Sequence, residues 1–258
     1  MDRLKKALQS QDYTGDALKD AMRFILENES IDFSSLFQGE SLLDISKLGF
    51  TELPQWIGSL SNLMALNSPS NNLTKLPDWI GNLTDLGALF LDDNNITEIP
   101  YSIGNLVNLK YLFLKNNNIS YLPEEIGNLT NLKGLILDDN SITELPESIG
   151  NLVNLKVLGL SHNNLTELPD SIGNLVNLNI LDLNDNNLTQ LPDSIGNLVK
   201  LQKLWLDDNN IAKLPNSIEN LTNLNELKLS DNNFSDEYKS YFKNYLAEKL
   251  PNCDLIWD

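Results

Sequence analysis

Histidine and cysteine, which often serve as the base and the nucleophile in catalysis, are scarce in this sequence. His162 is the only histidine, and Cys253, the only cysteine, lies far from it near the end of the chain. Nucleophilic catalysis needs a base within hydrogen-bonding reach of the nucleophile, and no such set can be assembled around these two residues. The sequence also lacks a phosphate-binding loop and the spacing of a zinc site. We therefore predict that the protein is not an enzyme and needs no metal or cofactor.

Carboxylates are the abundant reactive groups. The chain has 36 Asp and Glu residues against 18 Lys and Arg, which gives a formal net charge of −18. Such a surface repels nucleic acid and anionic lipid, and no stripe of basic residues offsets it. No apolar run approaches the length of a membrane span. The composition therefore predicts neither nucleic-acid binding nor membrane insertion.

Part of this charge recurs at fixed places in the sequence. The residues are Asp92, Asp93, Asp138, Asp139, Asp185, Asp207 and Asp208. Calcium takes several carboxylate oxygens, but no loop here concentrates the ligands as a calcium-binding loop does. Lys115 falls between Asp92 and Asp138 in the pattern, which predicts cross-strand charge pairing for part of the row. We expect Asp92, Asp138, Asp139 and Asp207 to face a protein partner that has a basic rim.

The acidic residues recur because the whole sequence is periodic. The string Leu-Pro-x-x-Ile-Gly-Asn-Leu returns every 23 residues, and the repeats cover about three quarters of the chain. Full units begin at Leu63, Leu86, Leu109, Leu132, Leu155, Leu178 and Leu201, with a partial unit at Leu224 and a degenerate one at Glu40. A period of this length is typical of solenoid proteins, in which each repeat is one supersecondary unit.

The spacing inside a unit predicts a short strand and a return segment. Leu112 and Leu114 are two residues apart and therefore lie on one face of a strand. Pro123 cannot donate to a strand ladder, so the strand ends before it, and a short helical or irregular run turns Ile126 and Leu129 inward. One unit cannot bury these side chains alone, so each must stack on the next. The predicted fold is an α/β solenoid, a horseshoe with a concave parallel β-sheet and helical caps at both ends.

Asparagine occupies the ninth position of eight units. These residues are Asn71, Asn94, Asn117, Asn140, Asn163, Asn186, Asn209 and Asn232. The chain leaves the strand at this position and turns into the core. Because an amide both donates and accepts, we predict that these side chains satisfy the backbone groups of the turn and of the neighbouring repeat.

Third- and fifth-position side chains point out of the sheet, away from the core leucines. Large apolar residues occupy these positions on adjoining strands: Phe90, Tyr111, Phe113, Ile136, Val157 and Ile180, with Trp205 further along. A contiguous apolar patch with a polar rim is typical of a protein-binding site. The alternative is that aromatic residues suit strands and support one another across the sheet. We predict that these side chains face solvent in the free protein and bind the partner.

The repeat pattern changes at both ends, where a solenoid needs caps over its core. We predict a helical N-terminal cap over residues 1–39, repeats over 40–234 and a C-terminal cap over 235–258. In the first segment, Ala17, Leu18, Ala21, Met22, Ile25 and Leu26 fall at helical spacing. In the last, Ser235 is the predicted N-cap of a helix that Pro251 ends, and Asp254 begins a short strand.

Two tryptophans and one irregular unit lie near the start of the repeats. Trp56 and Trp79 share the seventeenth position, and we predict that they pack on the convex side beneath the N-terminal cap rather than form a second binding patch. Ser68 stands where a core leucine is expected, before Asn71, and it places a hydroxyl in the core.

The unit resembles the leucine-rich-repeat family, in the 23-residue form with Leu-Pro-x-x-Ile-Gly-x-Leu. It is similar to plant Ras-group-related repeat proteins, to animal Ras-binding and polarity scaffolds, and to many bacterial repeat proteins. The ending from Leu250 to Trp257 resembles the C-terminal cap of bacterial members. The resemblance implies a horseshoe and a protein-binding role, with a small GTPase as a partner by family analogy alone.

Cysteine usage and the resemblance leave two settings open for a protein-binding module. One cysteine cannot form the disulfide-bonded caps that are usual in extracellular repeat proteins, and residues 1–11 lack an apolar signal region, so we expect the reducing cytosol. The first interpretation is an intracellular scaffold or regulator. The alternative is a translocated or secreted bacterial effector, or a surface-displayed repeat protein, that binds a host protein.

Overall fold

Each repeat contributes one three-residue strand and one 3-10 helix to the fold. The computed structural model describes residues 42–257, so the predicted N-terminal cap over residues 1–39 lies outside the described residues. The strands are β1 to β10: Leu42–Asp44, Ala65–Asn67, Ala88–Phe90, Tyr111–Phe113, Gly134–Ile136, Val157–Gly159, Ile180–Asp182, Lys203–Trp205, Glu226–Lys228 and Asp254–Ile256.

The strands form one parallel sheet in the order of the sequence, from β1 to β10. The register pairs residues one repeat apart, so that Leu89 lies between Leu66 and Leu112. Each strand is therefore bonded to the strand of the previous repeat and to that of the next. Every position of the unit consequently forms a column that runs along the solenoid, as the predicted leucine-rich-repeat architecture requires.

The core lies between the sheet and the 3-10 helices that return on the convex side. Leu112 and Leu114 have no exposed surface, and neither do Ile126 and Leu129, which were predicted to turn inward. The 3-10 helices are Gln55–Ser59, Asp78–Asn82, Tyr101–Asn105, Glu124–Asn128, Glu147–Asn151, Asp170–Asn174, Asp193–Asn197 and Asn216–Asn220. A proline precedes each 3-10 helix. Pro123, for example, has an extended backbone, and its carbonyl oxygen accepts a hydrogen bond from the Ile126 backbone N–H at 3.0 Å.

Close packing of successive 3-10 helices explains the glycine that follows the buried isoleucine. A Cβ added to Gly127 would lie 2.5 Å from the Ser148 carbonyl oxygen of the next repeat. The last repeat carries Glu219 at this position. No further 3-10 helix follows it in residues 42–257, and Glu219 instead accepts a hydrogen bond from the Tyr245 hydroxyl at 2.6 Å. Glycine is therefore needed only where another repeat packs on top.

The ninth-position asparagines form the predicted ladder between repeats. The Asn117 amide donates to the carbonyl oxygens of Leu114 in its own repeat, at 3.0 Å, and of Leu91 in the previous repeat, at 3.1 Å. Its side-chain oxygen accepts the Ile96 backbone N–H, also from the previous repeat, at 3.0 Å. The same set of bonds recurs at Asn163 and Asn186.

A second row of asparagines, which the sequence reasoning missed, joins the repeats where the chain returns to the next strand. The Asn131 amide donates to the Val107 carbonyl at 2.8 Å, and that of Asn154 to the Thr130 carbonyl at 2.9 Å. The signal was present in the sequence, because Asn-Leu precedes most strands. These bonds are exposed to solvent, unlike those of the buried ladder, and so hold the repeats together less strongly.

Ser68 fits the core because its hydroxyl has a partner. The residue has no exposed surface, and its hydroxyl accepts a hydrogen bond from the Asn71 amide at 3.0 Å. Trp79 packs on the convex side against Gly58, where an added Cβ would lie 3.0 Å from the indole ring. Trp56 is 55% exposed. The predicted cover over both tryptophans lies outside the described residues.

Helix α1 (Asp236–Lys249) and strand β10 follow the last repeat strand. Ser235 is the N-cap and accepts a hydrogen bond from the Tyr238 backbone N–H, as predicted. The helix buries Phe242 and Leu246 against the end of the core, and Trp257 packs edge-on against Phe242 at 5.7 Å between ring centroids. These aromatic contacts shield the leucines of the last repeat.

Replacing Asn117 with alanine leaves the Ile96 N–H buried without a partner and removes one of the two amide donors to the Leu91 carbonyl, the other being Asn94. We expect a loss of about 1–3 kcal/mol in the free energy of unfolding, because a buried unpaired polar group loses its hydration without compensation. The measurement is chemical denaturation followed by circular dichroism. The neighbouring exposed Asn118→Ala is the control and should unfold at the wild-type midpoint. An unchanged midpoint for Asn117→Ala would contradict the structural role of the ladder.

Candidate functional site

The candidate site is the concave face, defined here as the surface formed by the third- and fifth-position side chains of β2 to β8. Alternation along a strand turns these side chains away from the fourth-position leucines of the core. Register then places equal positions side by side, so that Phe90 pairs with Phe113 and Phe113 with Ile136. Tyr111, Val157 and Ile180 occupy the third-position column, with glycine between Tyr111 and Val157.

The predicted binding residues do lie on this face, but the prediction that they face solvent is wrong. Their exposed fractions are 3% for Phe90, 2% for Tyr111, 1% for Phe113, 1% for Ile136, 1% for Val157, 2% for Ile180 and 1% for Trp205. Lateral packing accounts for part of this burial, because strands a few ångströms apart press equal positions together. The rings of Phe90 and Phe113 meet edge-on with their centroids 5.1 Å apart. Tyr111 meets Phe113 in the same way at 6.3 Å.

Trp205 lies apart from the other aromatic residues of the face. Gly159 and Asp182 occupy the fifth position on the two strands between Ile136 and Trp205. The Trp205 indole N–H donates to Glu226 at 2.7 Å, and the ammonium groups of Lys203 and Lys228 lie 5.2 and 5.0 Å from its ring centroid. These charges fix the orientation of the indole. Trp205 is therefore an aromatic residue of the concave face that is separate from the others and surrounded by charged side chains.

The seventh-position aspartates bond to the backbone of the next repeat. Asp92 accepts the Lys115 N–H at 2.8 Å, Asp138 accepts the Ser161 N–H at 2.9 Å, and Asp207 accepts the Ser230 N–H at 2.8 Å. Asp92 and Asp138 are only 4% and 2% exposed. The prediction that these two residues belong to an open acidic rim is therefore wrong. They are buried because each carboxylate lies between the end of its own strand and the end of the next strand.

Burial raises the pKa of these carboxyl groups. The pKa of Asp92 rises to about 7, mainly through burial, although the hydrogen bond from Lys115 opposes the rise. Burial likewise raises the pKa of Asp138, against the hydrogen bonds from Ser161. The pKa of Asp182 is raised well above its ordinary value by burial and by the nearby Asp138. The concave face therefore carries less negative charge than its sequence suggests.

The backbone conformation at the eighth position explains why most residues there are aspartate or asparagine. Asp93, Asn116, Asp139, His162 and Asp185 all have φ between 52° and 55°. Aspartate, asparagine and histidine are the side chains that tolerate this left-handed conformation best after glycine. Cross-repeat contacts then follow from the register, since Asn116 donates to Asp93 at 2.8 Å and Lys115 lies 3.3 Å from Asp139. The Lys115 contact confirms charge pairing for part of the acidic row.

The residues considered for catalysis or metal binding do not come together. His162 is exposed and lies 3.4 Å from the Asp185 carboxylate. Cys253 is half-buried just before β10. Burial is the main cause that raises the pKa of its thiol to about 11, and the nearby Asp254 and Glu226 add to the rise. Among residues 42–257, no three His, Cys, Asp or Glu side chains are grouped as a metal site. No helix in the same range is both long and apolar enough to cross a membrane.

The sequence matches the family described as leucine-rich repeat region over residues 92–155 and 147–248. These matches span more than half of the chain, so the protein belongs to the leucine-rich-repeat family. The fold, a parallel sheet with one strand per repeat, agrees with this membership. A comparison with curated proteins gives no match. The family consists typically of protein-interaction modules without catalytic activity.

Solved structures of two plant receptors are similar to this chain. One is the leucine-rich-repeat ectodomain of the membrane receptor kinase GASSHO1/SCHENGEN3 from Arabidopsis thaliana, in complex with CASPARIAN STRIP INTEGRITY FACTOR 2: identity is 32%, the TM-score is 0.68, and the match covers 80% of this chain and 29% of that one. The other is the plant peptide hormone receptor RGFR1 in complex with RGF2, at 34% identity, a TM-score of 0.60, and coverage of 70% and 34%. This chain spans about a third of either receptor chain.

A bacterial structure also matches, with lower similarity. It is a leucine-rich-repeat protein of Leptospira interrogans, at 22% identity and a TM-score of 0.47, and the match covers 83% of this chain and 94% of that one.

The raised pKa of Asp92 predicts a pH-dependent stability. A carboxyl whose pKa is higher in the folded state binds a proton more tightly when folded, so its contribution is fully present below pH 3.8 and is lost as the pH rises to about 7. The rise corresponds to at most about 4 kcal/mol. Asp92→Asn should therefore reduce the fall in melting temperature between about pH 4 and pH 7.

The substitution keeps the structural hydrogen bond. Asn184 occupies the same seventh position two repeats beyond Asp138 and accepts the Asp207 N–H at 2.8 Å. The exposed Asp85→Asn is the matched control and should leave the profile unchanged. Scanning calorimetry across the pH range measures both variants. A wild-type profile in Asp92→Asn would mean that this carboxyl is not desolvated in the folded protein.

Proposed function

We propose that the protein is an interaction module that takes an extended polypeptide on its concave face. The observation that carries the proposal is the row of large apolar side chains that the core does not use. Phe90, Tyr111, Phe113 and Ile136 adjoin on β3 to β5, all on the face opposite the core leucines. Large aromatic anchors packed in a cluster usually supply most of the binding energy of a protein interface.

The similar plant receptors support a peptide or protein as the class of partner. Both were solved in complexes, one with CASPARIAN STRIP INTEGRITY FACTOR 2 and the other with RGF2. The identities are 32% and 34%, and this chain spans only about a third of either receptor chain. From these receptors we carry over only the class of partner, a peptide or protein, and not the particular ligand.

We further propose that the partner is basic where it crosses the end of the strands. The chain carries a net charge of −18. The half-buried Asp139 and Asp207 lie at this edge, and so does the exposed Asp208. Charges at a rim mainly accelerate encounter and set register, so salt should slow association more than it speeds dissociation.

The setting of the interaction is inferred from the cysteine content and the repeat type. The single cysteine, which cannot form a disulfide within this chain, supports a reducing compartment. We propose an intracellular scaffold or regulator on this ground and on the repeat type. A small GTPase partner and a secreted bacterial effector rest on the resemblance of the repeat alone.

Peptides selected from a random displayed library on the full chain test the proposal. We expect selected sequences enriched in Lys and Arg, with affinity at least about 2 kcal/mol weaker for Phe113→Ala than for wild type. Isothermal calorimetry measures this at a temperature where circular dichroism shows both proteins folded. The milder Ile136→Val provides a second concave variant should Phe113→Ala unfold, and it should also weaken binding.

Tyr101→Ala is the matched control, because Tyr101 is aromatic and 70% exposed at the start of a convex 3-10 helix. Its affinity should stay within about 0.5 kcal/mol of wild type. Wild-type binding by the concave variants, combined with a loss in Tyr101→Ala, would place the site on the convex side and overturn the proposal.

A further inference from the structure

Two exposed tyrosines interrupt columns that are polar in every other repeat. Counting from Glu40, the thirteenth position carries Glu, Gln or Lys in seven repeats and Tyr121 in one, and the sixteenth carries Asp, Glu, Asn or Gln in seven and Tyr101 in one. Tyr121 is 43% exposed and Tyr101 is 70% exposed, and neither belongs to the core. Within residues 42–257 neither side chain has a hydrogen bond or a ring contact. Exposed aromatic rings that the fold does not use indicate a binding surface.

The two tyrosines line one groove, although they belong to different repeats. The groove has a volume of about 550 Å³ and lies between the turns around Pro77 and Pro100. Tyr101 directly follows the second of these turns, and Tyr121 comes from the next repeat. The lining of the groove therefore extends along the solenoid over three repeats.

A second groove shows that the repeat produces this shape but not this lining. It has a volume of about 530 Å³ and lies between the turns around Pro192 and Pro215. Asn216 has there the position that Tyr101 has in the first groove, and none of the described residues that line it is aromatic. The two grooves share their size and their walls, so the tyrosines are what distinguishes the first one.

The charged groups at the tyrosine-lined groove have both signs. Asp78 and Glu98 supply exposed carboxylates, and Lys75 supplies an exposed ammonium group. Lys75 lies 3.9 Å from Glu52, but both side chains are more than half exposed, so this ion pair is weak. A ligand that matches the groove must therefore accept a hydrogen bond from the ammonium group and donate hydrogen bonds to the carboxylates.

A neutral sugar chain meets these requirements. A sugar hydroxyl both donates and accepts, and the C–H face of a pyranose ring stacks on an aromatic ring. In a β-linked glucan the hydroxyls are equatorial, so both faces of each sugar are C–H faces, and the chain is straight enough to follow the solenoid. An anionic ligand would instead be repelled by a chain with a net charge of −18.

A proline-rich peptide is the other ligand that suits an aromatic groove. Proline has no backbone N–H, so such a peptide presents carbonyl oxygens and few donors. Its acceptors would face the carboxylates of Asp78 and Glu98, which also only accept. The polar lining therefore favours the sugar over the peptide.

We propose that the groove of Tyr101 and Tyr121 is a carbohydrate-binding site that takes a straight β-linked glucan, with sugar rings stacked on both tyrosines. The site lies at the start of a convex 3-10 helix and is separate from the concave face. It does not depend on the peptide binding proposed for that face.

Isothermal calorimetry of the full chain with cellohexaose tests the site. The wild type should bind cellohexaose more tightly than the bent maltohexaose. Tyr101→Ala and Tyr121→Ala should each weaken cellohexaose binding at least about tenfold, because aromatic anchors carry most of the affinity of such a site. Tyr101→Phe should retain binding, since the face of the ring remains. Melting temperatures should match the wild type, because both side chains are exposed.

Asn216→Ala is the matched control, because it removes the equivalent side chain of the second groove and should bind cellohexaose as the wild type does. An equal loss in this variant would overturn the proposal, and so would wild-type affinity in both alanine variants or no binding of cellohexaose by the wild type. Displacement of cellohexaose by a proline-rich peptide that binds through Tyr101 would assign the groove to peptides instead. Peptides selected on the concave face should bind Tyr101→Ala normally, so the two sites can fail separately.

Discussion

The hydrogen bonds of the ninth-position asparagines are the interaction on which the rest of the structure depends. Each side chain joins its own turn to a carbonyl and an N–H of the previous repeat, as Asn117 does with Leu91 and Ile96. The bonds are buried, so they hold the repeats at one register with little tolerance for slippage. Because the register is fixed, each remaining position of the repeat forms a column of equivalent side chains along the solenoid. The leucine columns form the core, and the third and fifth columns form the concave face.

This constraint also determines where the charge lies. The turn after each strand places the eighth residue in the left-handed region, as at Asp139 with φ 55°, and this selects Asp, Asn and His. An aspartate at the seventh position accepts an N–H from the next repeat, as Asp92 and Asp138 do. The negative charge along this edge is therefore partly structural. Burial keeps the pKa of some of these carboxyl groups high, so a partner meets a less acidic surface than the composition indicates.

Most of the fold could be predicted from the sequence because the same residue pattern recurs in every repeat. The spacing of Leu112 and Leu114 gave the strand face, and Asn117 gave the ladder. The candidate site was harder. Alternation placed Phe113 on the correct face, but nothing in the repeat indicates that the side chain is almost inaccessible to solvent. Asp138 was misplaced for a similar reason, since its backbone partner, Ser161, belongs to the next unit and appears only once the register is known. What the repeat pattern sets, including the asparagine ladder between units, was predictable, and the burial of individual side chains such as Phe113 and Asp138 was not.

Hydrogen exchange at single-residue resolution tests the ladder most directly. The backbone N–H groups of Ile96, Ile119 and Ile142 donate to Asn117, Asn140 and Asn163 and have no other acceptor of comparable geometry in their turns. If these side chains hold the repeats together, the three amides should exchange as slowly as the Leu114 amide, which donates to the next strand at Ile136. Exchange as fast as that of the exposed Ser120 amide would contradict the account.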